Sequence, residues 1–216
     1  MKTVGIIGGF GPEATAQFYM GLTAKTRTNI LVRHVFVPRK LEHDALISGN
    51  NLDAFKPLLV SAAMELEKNG ADIIVLPCNT LHIHEDAIRS ALGIPFISII
   101  EETARFLHKQ NISKIGFLGT RVTIRENLFK KRANGTTFIT IPSSVQRRID
   151  FGLDQFVGEQ KDKNLKSALH ESFRFFRNKN VQDVLLACTD FHGLCPNGVR
   201  IHDTLDILVR ATIDMI

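Results

Sequence analysis

The chain repeats itself, and that constrains its fold more than any other feature. Val4-Gly5-Ile6-Ile7-Gly8 returns as Ile115-Gly116-Phe117-Leu118-Gly119, 111 residues later. The stripe Phe55, Leu58, Leu59, Ala63 and Leu66 returns 110 residues on as Leu165, Ala168, Leu169, Phe173 and Phe176. Both stripes keep the i, i+3, i+4 spacing that lays one apolar helix face on a sheet. Ile74-Val75-Leu76-Pro77-Cys78 then recurs as Val184-Leu185-Leu186-Ala187-Cys188, with His82 matched by His192. Gly93-Ile94-Pro95-Phe96-Ile97 has a looser echo in Gly198-Val199-Arg200-Ile201. Any one of these is common in α/β proteins. Four in the same order at one spacing predict two similar lobes, residues 1–98 and 99–204. The last helix, residues 203–216, packs back on one lobe and possibly completes the first.

Within a lobe, buried strands alternate with amphipathic helices. Strands are expected near Thr3–Gly8, Leu31–Val37 and Asp72–Leu76, and helices from Pro12 to the mid-twenties and over Asp53–Asn69. Gly70 supplies the usual stop for the second helix. Short, wholly apolar strands between helices predict a mainly parallel sheet covered on both faces. The fold class is therefore α/β: two doubly wound lobes related by a pseudo-twofold axis, with ligands bound in the cleft between them.

Composition narrows the function classes. The chain has 216 residues, of which 44% are hydrophobic and 23% charged, enough for a well-filled core. No apolar run is long enough to span a bilayer, and Met1–Ile7 reads as a strand rather than a leader, so a cytoplasmic protein is expected. The net charge of +5 comes from scattered cations. The densest group, Arg125, Lys130, Lys131 and Arg132, reads as a solvated helix face, not a nucleic-acid surface. Three cysteines without a disulfide pattern, Cys78, Cys188 and Cys195, read as free thiols.

Cys78 and Cys188 stand at equivalent places, each ending a buried strand, where ligands bind in open α/β sheets. Most buried cysteines are simply packing. Here, however, Asn79 and Thr80 follow one and Thr189 and Asp190 the other, polar residues of the helix-capping type. A helix start beside each thiol is expected to bind an anion and lower the thiol pKa. Two thiols on opposite sides of a cleft suit inversion at a carbon acid: one removes a proton, the other returns one on the opposite face.

With these residues in view, a family resemblance emerges. Gly5-Ile6-Ile7-Gly8-Gly9-Phe10-Gly11-Pro12-Glu13-Ala14-Thr15, Pro77-Cys78-Asn79-Thr80-Leu81-His82, Gly116-Phe117-Leu118-Gly119-Thr120-Arg121-Val122-Thr123 and Cys188-Thr189-Asp190 resemble the aspartate/glutamate racemase family. They are more similar to its aspartate racemase branch than to the cell-wall glutamate racemases. The resemblance implies cofactor-independent racemisation, no metal, an amino acid substrate (aspartate or glutamate first), and a homodimer. It makes Cys78 and Cys188 the acid–base pair, and Phe10, Asn79, Thr80, Thr120 and Thr189 the substrate-binding residues. Gly8, Gly9 and Gly11 would form the tight first loop that lets backbone approach the ligand. Two departures stand out. Asp190 replaces the family's usual glutamate, one methylene longer. In the segment 37–51, where aspartate racemases often place an arginine, His43 falls near that position and Arg39 and Lys40 slightly before it.

Rival readings carry their own tests. Gly9-Phe10-Gly11-Pro12-Glu13-Ala14 formally fits a dinucleotide loop, but no ribose-binding acid follows the next strand. Cys188, His192, Cys195 and His202 could be read as zinc ligands, although the first lobe repeats only one Cys and one His. On the racemase reading, His82 and His192 are helix-surface groups or groups that tune the thiols, and Cys195 is packing. A related two-cysteine isomerase or decarboxylase (similar to maleate isomerases, arylmalonate decarboxylases or hydantoin racemases) would use a thiol as nucleophile. A pure small-ligand sensor would need no matched thiols.

Overall fold

The computed structural model describes residues 1–42, 44–45, 48–154, 163–194 and 196–216; His43 and Cys195 lie outside them. Two four-stranded sheets, parallel throughout, form the frame. The first is ordered β2-β1-β3-β4, from β1 (Thr3–Gly8), β2 (Asn29–His34), β3 (Ile73–Val75) and β4 (Phe96–Ile97). The second is ordered β6-β5-β7-β8, from β5 (Lys114–Gly119), β6 (Thr137–Thr140), β7 (Asp183–Ala187) and β8 (Arg200–Asp203). One order is the other displaced by one repeat. Register agrees as well: Gly5 pairs with Ile74 and Gly116 with Val184, so the repeated residues are also the paired ones.

Alternation along each strand assigns the two faces of each sheet. Val4, Ile6, Ile73 and Val75 point to a shared middle core, and so do Ile115, Phe117, Leu185 and Ala187 of the other sheet. Three helices bring apolar residues to that core: α1 (Pro12–Thr23) with Phe18 and Leu22, α5 (Ile99–Lys109) with Ile99 and Leu107, and α9 (Thr204–Met215) with Leu205 and Leu208. On the outer face of the first sheet, Ile7, Ile74 and Leu76 meet α3 (Phe55–Lys68) and Ile88 of α4 (Glu85–Ala91). On the outer face of the second, Leu118, Val184 and Leu186 meet α7 (Ser143–Asp154) and α8 (Lys163–Asn178). Two short helices, α2 (Arg39–Glu42) and α6 (Arg121–Arg125), sit at loops above the strands' carboxyl ends. Because one apolar layer serves both sheets, and each fully buried Leu or Phe contributes roughly 1.5–3 kcal/mol, the lobes are held together without a linker.

The repeated glycines have a packing cause. A Cβ on Gly5 would lie 2.7 Å from Ile74 Cδ1 and 3.2 Å from Leu66 Cβ; one on Gly116 would lie 2.8 Å from the ring of Phe176. Leu66 and Phe176 are repeat equivalents, so each lobe seats the same outer helix against the same bare backbone.

Boundaries shift in small ways. The expected helix over residues 53–69 begins as a 3-10 turn, Leu52–Ala54, before α3, and Pro57 falls in the first turn of α3, where its missing N–H costs nothing. α3 stops where expected, with Gly70 at φ 94° and the Ala71 amide bonded back to Leu66. The basic cluster is not one helix face, because α6 ends at Arg125. Arg125 pairs with Glu126 at 2.9 Å, and Arg132 crosses to Glu85 at 3.1 Å. Among the described residues no helix is long and apolar enough to cross a membrane.

Candidate active site

Cys78 follows β3 by three residues and Cys188 follows β7 directly, so both thiols stand at the carboxyl edges of central strands. Each is followed by a 3-10 turn, Thr80–His84 in one lobe and Thr189–Phe191 in the other. Both cysteines are free and only 6% exposed. Cys78 packs with Phe10, whose ring lies 5.6 Å from that of Phe55; Cys188 packs with Phe191 and the second outer core.

The charges around the thiols join the two sides. Asp190 accepts a long bond from Cys188 Sγ at 3.6 Å and also acts electrostatically on Cys78. Its Oδ1 would lie 3.3 Å from a Cβ on Gly11, next to the start of α1 in the other lobe. A carboxylate there is favoured by the helix dipole. It also occupies the approach that a pyrophosphate would need, which argues against the dinucleotide reading. Cys188 in turn lies within electrostatic reach of Cys78.

The expectation of lowered thiol pKa values is overturned. Burial pushes Cys78 up to about 12, against the opposing pull of the Leu81 and Thr80 amides and with added push from Asp190 and Glu42. Burial, then Asp190, raises Cys188 well above the ordinary thiol value. The turn amides act as expected, but desolvation of a thiolate outweighs them. No full helix starts at either cysteine, only a 3-10 turn, so the dipole available is short.

Three hydroxyls cross the lobe boundary. Thr80 Oγ1 lies 3.2 Å from Thr120 Oγ1 and 2.9 Å from Thr123 Oγ1, which are 3.0 Å from each other. Thr120 also caps α6 by accepting from the Thr123 amide at 3.2 Å. Thr123 was not among the expected site residues; its signal was the Thr120-x-x-Thr123 spacing, which folds the second hydroxyl back over the cap. Asn79 Nδ2 donates to Thr204 Oγ1 at 3.0 Å, and Thr204 donates to the Leu186 carbonyl at 2.9 Å. Asn79 Oδ1 is buried with no hydrogen-bond partner. Thr189 is buried beside Cys188. In the first loop, Gly9 (φ 104°) approaches protein backbone: a Cβ there would lie 2.2 Å from the Val35 carbonyl oxygen.

The paired histidines differ. His82 is buried, not on a helix surface: its Nδ1 donates to the Cys78 carbonyl at 2.8 Å, and its Nε2 accepts from the Ile99 amide at 3.2 Å. Burial lowers its pKa to about 4. It thus pins the Cys78 turn to the start of α5. His192 pairs with Asp203 at 2.9 Å, while His202 turns to Asp183 at 2.8 Å. The four proposed zinc ligands therefore do not converge; His192 and His202 serve different carboxylates. His192, Asp203 and Asp206 have donor atoms within 4.8 Å of one another, the one grouping among the described residues able to hold a metal ion. It excludes Cys188, and Asp203 is already committed to His192 and to the Leu205 amide.

Two matched parallel α/β lobes, with a buried thiol from each and polar side chains crossing between them, define a two-lobed, two-cysteine α/β protein of the racemase type. The sequence model of the Asp/Glu/Hydantoin racemase family matches residues 7–212, and the chain belongs to that family. It is 25% identical over 222 residues to the broad specificity amino-acid racemase RacX of Bacillus subtilis (strain 168), covering 97% of this chain and 96% of that one. A putative Asp/Glu racemase from Yersinia pestis superposes with a TM-score of 0.82 at 26% identity, covering 100% and 99% of the two chains. An aspartate racemase homologue from Pyrococcus horikoshii OT3 gives 0.79 at 21%, also over 100% and 99%, a likeness of fold.

Proposed function

We propose that this chain is a cofactor-independent amino acid racemase in which Cys78 and Cys188 exchange protons with Cα from opposite faces. In this reading residues 1–98 and 99–204 are the two lobes, residues 203–216 complete the first, and the working form is a homodimer. One observation carries it: two buried thiols at repeat-equivalent strand ends, within electrostatic reach of each other, in a member of this family.

The chemistry balances without any other group. A thiolate takes the Cα proton and becomes a thiol; the facing thiol gives its proton to the other side of the planar carbanion and becomes a thiolate. The amino acid is inverted and the two sulfurs have exchanged roles. Substrate carboxylate is held by Thr80, Thr120 and Thr189 hydroxyls and the Asn79 amide, donors already fixed in place and therefore suited to a developing enolate. Phe10 walls the first loop. Both thiols are protonated in the closed, dry site, so one must lose its proton as the substrate enters. The substrate ammonium supplies the positive charge that makes this favourable.

The names of the relatives make aspartate and glutamate the first substrates to test. Incubation of L- and D-amino acids with the purified protein in deuterated water, with no added cofactor, should place deuterium on Cα of an otherwise unaltered amino acid. Loss of a carboxyl group, or geometric isomerisation of an unsaturated acid, with no Cα exchange would replace racemisation by thiol addition chemistry.

A further inference from the structure

The side-chain end of the site differs in character from the carboxylate end. Around Cys78 the first lobe is apolar: Phe10, Val35, Ala45, Phe55 and Leu81 are buried with it, and Val37 and Leu41 pack against them. Much of this wall comes from the segment 37–51. The charges that reach the two thiols are both negative, Asp190 from the second lobe and Glu42 at the end of α2.

The cations nearby in sequence are turned elsewhere. Lys40 is exposed and paired with Asp44 at 2.8 Å. Arg125 donates to the Gly49 carbonyl at 3.3 Å and pairs with Glu126. Arg121 pairs with buried Asp150 at 3.3 Å, and Arg33 with Glu65. A second carboxylate on the substrate would thus meet hydrocarbon and like charge, with no guanidinium fork among these side chains to receive it.

Resting on the racemase reading, we propose that the site selects amino acids whose side chain is an aliphatic stem with a cationic end, and disfavours aspartate and glutamate. The stem lies along Phe10, Leu41 and Val37, and the charged end meets Glu42. Glu42 is then a specificity-determining residue.

The test compares kcat/KM for racemisation of lysine, methionine, aspartate and glutamate by the wild type and by Glu42→Gln and Glu42→Arg. Lysine should exceed aspartate by about tenfold or more, as like-charge exclusion in a desolvated site requires. Glu42→Gln should lower the lysine-to-methionine ratio about tenfold, mainly through KM, and Glu42→Arg should move preference toward aspartate. Aspartate or glutamate as the best wild-type substrate, or a lysine-to-methionine ratio unmoved by Glu42→Gln, would overturn the specificity proposal and leave racemisation standing. Failure of all four amino acids to exchange Cα hydrogen would instead sink the racemase reading itself.

Discussion

His82 should make this protein acid-sensitive by a calculable amount. Its imidazole is 4% exposed, with both nitrogens engaged: Nδ1–H on the Cys78 carbonyl and the Nε2 lone pair on the Ile99 amide. Protonation would put a second hydrogen on Nε2, facing a donor, in a dry site, so the folded-state pKa falls from 6.5 to about 4. A group depressed in the folded state leaves the unfolded chain holding more protons between the two values, so stability is lost as pH falls through that window. At about 1.4 kcal/mol per unit, lowering the pH from 7 to 4.5 should remove about 2–3 kcal/mol through this one residue. The perturbation is His82→Asn, which keeps a donor for the Cys78 carbonyl and removes the titration. Urea denaturation of both proteins at several pH values between 7 and 4.5 gives the slopes. The variant should be less stable at pH 7, because the Ile99 amide loses its acceptor, yet its loss on acidification should be smaller than the wild type's by that 2–3 kcal/mol. Parallel slopes would refute the assignment of a buried neutral imidazole.

Three other predictions follow from named contacts. Because burial raises its pKa to about 12, Cys78 in a Cys188→Ala background should alkylate slowly at pH 7 and gain about tenfold in rate per pH unit well beyond pH 9, as read by peptide mass spectrometry; a plateau near pH 8.5 would contradict this. Gly9→Ala should cost about 3 kcal/mol or more, since its Cβ would lie 2.2 Å from the Val35 carbonyl oxygen at a φ of 104°, and thermal melting would show it. Thr123→Val removes one corner of the hydroxyl triangle; it should cost about 1–2 kcal/mol in denaturation and reduce kcat/KM about tenfold through misplacement of Thr80 and Thr120.

Much of the frame was legible because it was written twice. The pairing of Gly5 with Ile74 and of Gly116 with Val184 is the structural form of a repeat visible by spacing alone, and the glycines recur because Leu66 and Phe176 recur. What was not legible depends on three-dimensional burial. A polar sequence after Cys78 and Cys188 suggested solvated, low-pKa thiols, but covering by Phe10, Leu81 and Phe191 dominates, and no linear pattern reports that. His82 and His192 match in sequence yet differ in setting, since position 98 is Ser98 where the second lobe has Asp203. That one difference gives His192 a carboxylate partner, while His82 reaches the Ile99 amide.

The account's central claim is that the two sulfurs serve opposite faces of one carbon. Its most direct test is Cα–deuterium exchange of each pure enantiomer of the best substrate by the Cys78→Ser and Cys188→Ser variants, read by NMR beside chiral chromatography. The claim requires both variants to lose full racemisation, and any residual exchange to fall on one enantiomer with Cys78→Ser and on the other with Cys188→Ser. Undiminished racemisation by either variant, or residual exchange of the same enantiomer by both, would contradict it.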